Sequence, residues 1–330
     1  MDSIGYDIAK INEIFPQNDA LMVAHDAVVR LDERSKRSKF CHGWSQRILF
    51  GEALACQLAE GNLVHMEDLV TLDANVRHGK THVDLLDTLF MLRSWRAALE
   101  SDNPVGLLRG ERPGLAAEPT LETSSILQRP IKLRGLLVDA PIAKQPEIDT
   151  EKRDAWCRIW RETAGLCPLL AAAVVWDAWL SLVPEAGSGW RATLLAALVL
   201  KSRGVTSQFL LPIDCGWKAS KYQRYEGQDI GMRLNGFLAS ATQAAMLAGT
   251  ELSNLAVSQS GFVVKLKRRR KHSRLPVLVQ LLCARPVVSV AMAAKALGCS
   301  HQAVEQMFSF LAPTARELTG RKRFRVWTAP

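Results

Sequence analysis

Residues 289–311, SVAMAAKALGCSHQAVEQMFSFL, constrain the fold more than any other stretch of this chain. Ser289 to Leu297 has the apolar spacing of one helix. Ser300 is a suitable N-cap for a second helix that runs to about Leu311. Between the two, Gly298 supplies a residue that tolerates a positive φ. The pattern therefore predicts two short helices joined by a tight turn.

The spacing within these two helices is typical of a helix-turn-helix that binds DNA. Ala294 is the small residue where the helices cross, and Val304 and Met307 are apolar anchors that face inward. The exposed start of the second helix would then lie in the major groove. The predicted DNA-contacting residues there are Ser300, His301, Gln302, Glu305 and Gln306.

A β-hairpin is predicted after the second helix, in the sequence RELTGRKRFRVW. A glycine-centred turn with a basic tip precedes Phe324, Val326 and Trp327, which alternate with polar residues. Upstream, LPVLVQLLCARP supplies a supporting helix, so the pattern indicates a winged helix-turn-helix. The alternative is a helical hairpin that serves only as a lid or a dimer contact. The wing residues predicted to bind DNA are Arg321, Lys322, Arg323 and Arg325.

Positive charge is concentrated at the same end of the chain. Residues 251–330 hold 14 Lys or Arg and 3 Asp or Glu, a net charge of +11, whereas residues 1–250 have a net charge of −2. This asymmetry indicates a polyanionic partner, and double-stranded DNA fits it. The run from Lys265 to Arg274 has seven basic residues in ten, and we predict that it follows phosphates without reading bases. Its central residues are Arg268, Arg269, Arg270 and Lys271.

The remainder of the chain is predicted to be helical, because no segment shows the period-2 alternation of a sheet. A segment of 50 residues holds six of the 14 prolines, which is typical of a linker. The predicted class is mainly α, a helical bundle with a C-terminal winged helix-turn-helix. The predicted regions are an N-terminal helical region (1–100), a Pro-rich linker (101–150), a helical core (151–250) and the basic segment with the winged helix-turn-helix (251–330).

The central region has a stripe of tryptophans and the most apolar stretch of the chain. Trp156, Trp160, Trp176 and Trp179 recur at helical spacings, and we expect them in the core. The stretch Cys167–Leu182 is shorter than the ~20 residues that span a membrane. The N-terminus lacks a basic region followed by an apolar run, so no secretion signal is expected. Seven scattered cysteines without a Cys-x-x-Cys pair favour a reduced cytoplasm.

Neither a metal site nor a catalytic group is predicted. His78 and His82 have the i, i+4 spacing of metal ligands, but Gly79 interrupts the helix that such a pair needs. Between His82 and His272 there is no histidine, which removes the commonest general base from the central region. We therefore expect no cofactor and no enzymatic activity.

A Gly-x-Gly turn runs into an apolar helix in the central region, within VPEAGSGWRATLL. Glycines before a helix N-terminus are typical of phosphate-binding loops. Residues 151–250 resemble a Fic (AMP-transferase) domain, whose signature is His-Pro-Phe-x-(Asp/Glu)-Gly-Asn-Gly-Arg-x-x-Arg. Gly187 and Gly189 match the two glycines, and Ser188 stands for Asn. Arg191 lies one residue beyond the first phosphate-binding Arg of the signature.

The positions that carry Fic chemistry differ in this chain. Leu182 stands for the catalytic His, and Trp190 and Thr193 stand for the two Arg. Ala186 stands for the metal-binding acid, with Glu185 one residue early. The resemblance therefore implies a catalytically inactive body. What is left is a degenerate nucleotide loop of Gly187, Ser188, Gly189 and Arg191.

The resemblance extends upstream to ALACQLAEGNLVHMEDLV, which is similar to the helix that carries the inhibitory Ser/Thr-x-x-x-Glu-Gly motif before a Fic core. Cys56 and Glu60-Gly61 fall on that motif. In such proteins the Glu pairs with the second Arg of the signature. Thr193 cannot make this pair, so we expect Glu60 to be structural.

Nearly the whole chain resembles an uncharacterised family from plant-associated bacteria, often plasmid-borne. Its members join a helical region of this kind to a C-terminal helix-turn-helix. RLDERSKRS, EGNLVHMEDLV, RPVVSVAMAAKAL and LTGRKRFRVW carry the likeness.

The expected function is therefore that of a DNA-binding transcriptional regulator with an inactive Fic-like body. We expect it to form a homodimer, because helix-turn-helix proteins usually bind two half-sites. The alternatives are a body that still senses a nucleotide and a residual nucleotidyl transferase.

Overall fold

The mainly α class predicted from the sequence is confirmed by the computed structural model of the chain. No helix within the described residues is long and apolar enough to cross a membrane. The structure describes residues 6–15, 18–76, 81–101, 103–104, 106, 120–121, 131–132, 149–185, 187–225, 227–267, 274–319 and 325–329.

Five helices lie within the described residues up to 101. Helix α2 begins at Asn18, whose side chain accepts hydrogen bonds from the N–H groups of Ala20 and Leu21, as an N-cap does. Helix α3 ends before Gly61, whose φ of +87° is typical of the glycine that follows a helix. The helices are α1 (Ile8–Ile14), α2 (Asp19–Arg37), α3 (Cys41–Ala59), α4 (Met66–Asp73) and α5 (Val83–Leu99).

In the central region the described residues form five helices and one 3-10 turn. Trp156, Trp176 and Trp179 are buried as predicted, whereas Trp160 is only half-buried. The indole of Trp156 donates to the carbonyl oxygen of Val175 at 2.9 Å, which satisfies its one polar atom. These elements are α6 (Thr150–Glu162), the 3-10 turn (Thr163–Gly165), α7 (Pro168–Leu182), α8 (Gly189–Ser202), α9 (Ile213–Ser220) and α10 (Ile230–Leu266).

Helix α7 lies in the centre of the bundle, and one charge interrupts its apolar surface. Asp177 is fully buried. Its carboxylate accepts hydrogen bonds from Arg233 at 2.9 and 3.1 Å and from the hydroxyl of Tyr6 at 2.8 Å. Because a buried charge is tolerated only when it is paired and hydrogen-bonded, this group fixes α7 against α10 and the N-terminal residues.

Helix α10 connects the body to the C-terminal module. It has 37 residues and is continuous at residue 250, where the sequence analysis places a boundary between regions. It lies parallel to α2, because Asn18 bonds Asn235 near its start and Arg34 bonds Gly249 further along. The net charge of the sequence therefore changes after residue 250, but the helix continues without interruption.

The part of the C-terminal module that the structure describes has three helices and a small antiparallel sheet. The sheet has the strand order β3-β5-β4, so the last strand of the chain lies in the middle. In the predicted linker, two short strands, β1 (Thr120–Leu121) and β2 (Ile131–Lys132), pair antiparallel. The module consists of α11 (Leu275–Ala284), β3 (Val288–Ser289), α12 (Val290–Leu297), α13 (His301–Leu311), β4 (Arg316–Glu317) and β5 (Val326–Thr328).

Candidate nucleic-acid interface

The turn between α12 and α13 has the predicted backbone. Ser289 caps α12 by accepting the N–H of Met292 at 3.2 Å. Gly298 ends that helix with a φ of 59°, in the left-handed region that favours glycine. Ser300 then caps α13 by accepting the N–H of Ala303 at 3.3 Å. Local sequence thus sets the angle between the two helices.

Helix α13 has one buried and one exposed face. Val304 is buried as predicted, but Met307 is only partly buried. The other buried anchors are Phe308 and Leu311, one and two turns after Val304. Neither was among the predicted anchors, although their i+4 and i+7 spacing from Val304 is visible in the sequence. The predicted DNA-contacting residues Ser300, His301, Gln302, Glu305 and Gln306 are all exposed.

The wing is anchored on α13 by an aromatic stack. The rings of Phe308 and Trp327 lie parallel, with 4.1 Å between their centroids. Val326 and Trp327 are both buried, so the predicted alternation does not hold for this pair. Arg325, predicted to contact DNA, pairs with Glu317 and lies over the Trp327 ring. The other predicted wing residues, Arg321, Lys322 and Arg323, lie outside the described residues, as does Phe324.

The two ends of the basic run support the helix-turn-helix itself. Lys265 donates to the carbonyl oxygens of Phe310, at 2.7 Å, and Ala312, at the end of α13. Arg274 donates to the carbonyl oxygens of Leu297 and Gly298, at the end of α12. A cation at a helix C-terminus satisfies free carbonyl groups. The fold thus gives these two residues a structural role, and their predicted contact with phosphates stays a prediction. Arg268, Arg269, Arg270 and Lys271 lie outside the described residues.

Arg47 of α3 attaches the module to the body. Its guanidinium donates at 3.0 Å to the carbonyl oxygens of Leu282, Arg285 and Ala329, near the end of the described chain. It also pairs with Glu251 of α10. One buried side chain thus joins α10, α11 and the last strand.

A second buried attachment centres on Asp73, at the end of α4. Its carboxylate accepts hydrogen bonds from Arg96 at 2.7 and 3.1 Å and from Arg285 at 2.5 Å. Both guanidiniums lie over the ring of Phe50. Burial alone would raise the pKa of Asp73, but the two guanidiniums outweigh it and lower the pKa to about 2. Lys295 of α12 adds hydrogen bonds to the carbonyl oxygens at the end of α4. These contacts hold α12 and the end of α11 on the body.

The Gly-x-Gly turn of the body binds a carboxylate of its own chain. Gly187 has a φ of +79°, and its N–H donates to Oε2 of Glu60 at 2.8 Å. A Cβ at Gly189 would lie 3.3 Å from Oε1 of the same Glu60. Ser188 donates to the carbonyl oxygen of Val183 at 2.6 Å. Glu60 thus lies at the N-terminus of α8, where a bound phosphate would accept the same N–H groups.

Trp190 and Thr193, which the resemblance described above aligns with the two arginines of the Fic signature, are buried. Trp190 packs edge-on against Phe90 with 5.8 Å between centroids. Arg191 lies over the ring of Trp190, and burial lowers the pKa of its guanidinium. No carboxylate among the described residues pairs with Arg191. Thr193 donates to Asp214 at 2.7 Å.

A buried polar cluster lies beside this turn and is the one place among the described residues with the geometry of a metal site. Ligand atoms of Glu52, Cys56 and Asp214 lie within 4.8 Å of one another. Glu52 accepts the N–H groups of Asp214 and Cys215 at 2.9 and 3.0 Å, and Cys56 contacts Asp214 at 2.9 Å. Burial raises the pKa of Glu52, Cys56 and Asp214. Since these hydrogen bonds satisfy the groups, the cluster joins α3 to the start of α9. Of the two histidines with metal-ligand spacing that the sequence analysis did not favour as a metal site, His78 lies outside the described residues.

Comparisons with known proteins match two overlapping parts of the chain. Residues 142–295 match the family described as "Protein of unknown function (DUF1612)". Residues 275–329 match the "HTH DNA binding domain", which spans α11 to β5. The uncharacterized protein y4cF of Sinorhizobium fredii is 28% identical over 380 aligned positions, covering 98% of this chain and 99% of that protein. The chain therefore carries a C-terminal helix-turn-helix DNA-binding domain, and the match to DUF1612 covers the central region and the first part of that domain.

Proposed function

We propose that this chain regulates transcription by binding double-stranded DNA as a homodimer. One observation carries the proposal: in the matched helix-turn-helix, the start of α13 exposes His301, Gln302, Glu305 and Gln306 while its opposite face is anchored. Polar side chains at the N-terminal end of a recognition helix are those that reach base edges. The net charge of +11 on residues 251–330 adds the attraction to phosphates.

The body, in this proposal, positions the DNA-binding module. Arg47 and Asp73 fix the module through buried hydrogen bonds rather than through a flexible linker. A rigid attachment sets the distance between the two recognition helices of a dimer, and that distance must match the spacing of half-sites. The body also resembles a Fic domain that has lost its chemistry.

A nucleotide-sensing body is the competing proposal. Against it, Glu60 already accepts the N–H of Gly187, and an incoming phosphate would have to displace this carboxylate. The Fic arginines that would supply charge-assisted hydrogen bonds are Trp190 and Thr193 here.

We expect no AMP transfer from this protein. Incubated with labelled ATP, Mg²⁺ and a cell lysate, it should label no target above background, because Leu182 supplies no general base. Scintillation counting of protein bands measures the result. Label transfer that disappears in Glu185→Gln or Gly187→Ala would contradict the proposal of an inactive body.

Genome-wide DNA capture with the purified protein tests the proposed function. Enriched fragments should share a motif with two half-sites about one helical turn apart. The matched control is the double variant His301→Ala, Gln302→Ala, which alters two exposed side chains and leaves the caps of α13 in place. If the double variant enriches the same fragments to the same extent, the exposed start of α13 is not the reading surface.

A further inference from the structure

The exposed side of α10 is almost free of charge. From Leu234 to Val264, one residue in 31 is charged, Glu251, although 23% of the whole chain is charged. Glu251 pairs with Arg47 of α3 and is two-thirds buried. A helix on the surface of a soluble protein normally presents charged residues to water. An exposed face without them is typical of a contact surface.

Six residues of this face follow a regular seam. Their spacing alternates between four and three residues. This spacing keeps a row of residues on the side of a helix that packs against another helix. Val257, near the middle of the seam, is 75% exposed, and Met246 is 58% exposed. The six residues, called here the α10 seam, are Met246, Thr250, Ser253, Val257, Ser260 and Val264.

Charged residues border the seam. Helix α2 lies parallel to α10, and its Arg34 bonds Gly249 and Ser253. One turn earlier, α2 carries the exposed ion pair of Asp26 and Arg30. An uncharged centre with a charged border is the usual composition of a protein–protein interface.

The seam is continuous with the DNA-binding module. A Cβ at Gly261 would lie 2.7 Å from Oγ1 of Thr314, so α10 closely approaches the turn that follows the recognition helix. Four residues later, Lys265 bonds the end of α13. Whatever binds the seam is therefore placed beside the recognition helix.

We propose that the α10 seam is the surface through which two copies of this chain form a dimer. The inference rests on the proposed function, because a dimer of this kind reads two half-sites. In a two-fold symmetric interface, residues near the axis face their own copies, so a charged residue would meet a like charge. The α10 seam, which has no charged residue, satisfies this condition. Contact with an unrelated partner would not require the seam to be uncharged.

The distances along α10 agree with a two-fold axis near Val257. Lys265, where the module is attached, lies about 12 Å further along the helix at 1.5 Å per residue. In two antiparallel copies the attachment points would be about 24 Å apart along the helices. This separation is of the same order as the ~34 Å between half-sites on one side of the duplex.

The test is sedimentation velocity of the full chain and of Val257→Arg. The wild type should sediment as twice the 36.5 kDa chain mass. Val257→Arg should raise the dimer Kd at least about 100-fold, because two new guanidiniums meet near the axis. The matched control is Val83→Arg on α5, which changes a valine that is 65% exposed away from the seam and should leave the Kd unchanged. Ser260→Arg, at an exposed polar position of the seam, replaces Val257→Arg should that variant fail to fold.

The outcomes separate this inference from the proposed function. A wild-type dimer that Val257→Arg or Ser260→Arg dissociates supports the inference, even if the wild type binds no DNA and the proposed function fails. A wild type that binds DNA but is monomeric overturns the inference, as does a dimer that neither substitution weakens. A monomer whose melting temperature falls in both seam variants also overturns it, because another part of the same chain would then cover the seam.

Discussion

Asp73→Ala is expected to lower the free energy of unfolding by about 3–5 kcal/mol. Asp73 is fully buried and is the shared acceptor of Arg96 and Arg285. Without the carboxylate, two guanidiniums of like charge would face each other inside the protein. A buried charge left without its partner is among the most destabilising changes to a folded protein. Urea unfolding followed by tryptophan fluorescence measures the change.

The control for this effect is Asp26→Ala. Asp26 also pairs with an arginine, Arg30, but both side chains are more than half exposed. An exposed pair contributes about 0–1 kcal/mol, so this variant should unfold close to the wild type. Equal destabilisation by the two substitutions would show that the Asp73 cluster does not hold the module on the body.

The wild type and Asp73→Ala should also differ in how their stability depends on pH. The pKa of Asp73 is lowered to about 2 in the folded protein, from about 3.9 in an unfolded chain. The carboxylate therefore adds stability above pH 4, and this stability is lost as the pH falls towards 2. The difference in unfolding free energy between wild type and Asp73→Ala should shrink by about 2–3 kcal/mol over that range. A difference independent of pH would exclude the ionised carboxylate as its cause.

The helix-turn-helix could be predicted from the sequence because its determinants are local. Ser289 and Ser300 each cap a helix by accepting the N–H three residues further along. Gly298 adopts the positive φ at which the first helix ends. The burial of Phe308 follows from a spacing of four. None of these features requires knowledge of distant parts of the chain.

The roles of Lys265 and Arg274 could not be predicted in the same way. A basic side chain in a basic run looks suited to phosphate, and only the folded chain shows which carbonyl oxygens it reaches. Lys265 bonds Phe310, 45 residues away, and Arg274 bonds Leu297, 23 residues away. Asp73 and Arg285 pair although they are 212 residues apart, so this contact is even harder to predict from the local sequence.

The predicted division at residue 250 illustrates a different limit. Composition changes there, and the sequence analysis places a boundary at that change. Backbone geometry depends on helix breakers instead, and between Thr250 and Leu266 the breakers are reduced to Gly261, which a helix tolerates. The helix therefore continues, and its length places the module beside the body.

The second large effect concerns the binding of phosphates. Replacing Arg268, Arg269 and Arg270 together by Ala should weaken binding to all DNA sequences alike, by about 10²–10³-fold at 0.1 M salt, because fewer counterions are released. The slope of log K against log salt should flatten by about 0.9 for each phosphate that the variant no longer neutralises. The control removes the same charge elsewhere, by replacing Lys10, Lys218 and Lys221, which are exposed on the body.

Gln302→Ala should act on sequence preference instead. Gln302 is exposed in the first turn of α13, where a glutamine can bond adenine through two hydrogen bonds. Its loss should cost about 1–3 kcal/mol on the preferred site and little on random DNA. Gln243→Ala on α10, outside the recognition helix, is the matched control.

A salt titration of binding to specific and random duplexes separates the two roles. Phosphate-binding side chains contribute equally to both duplexes and set the slope, whereas side chains that bind base edges contribute to the specific duplex alone. If the triple variant changes only sequence preference, or if Gln302→Ala weakens both duplexes equally, the two roles are assigned the wrong way round. If the wild type binds neither duplex at any salt concentration, α13 does not read DNA, and the proposed function is wrong while the dimer through α10 is still open to its own test.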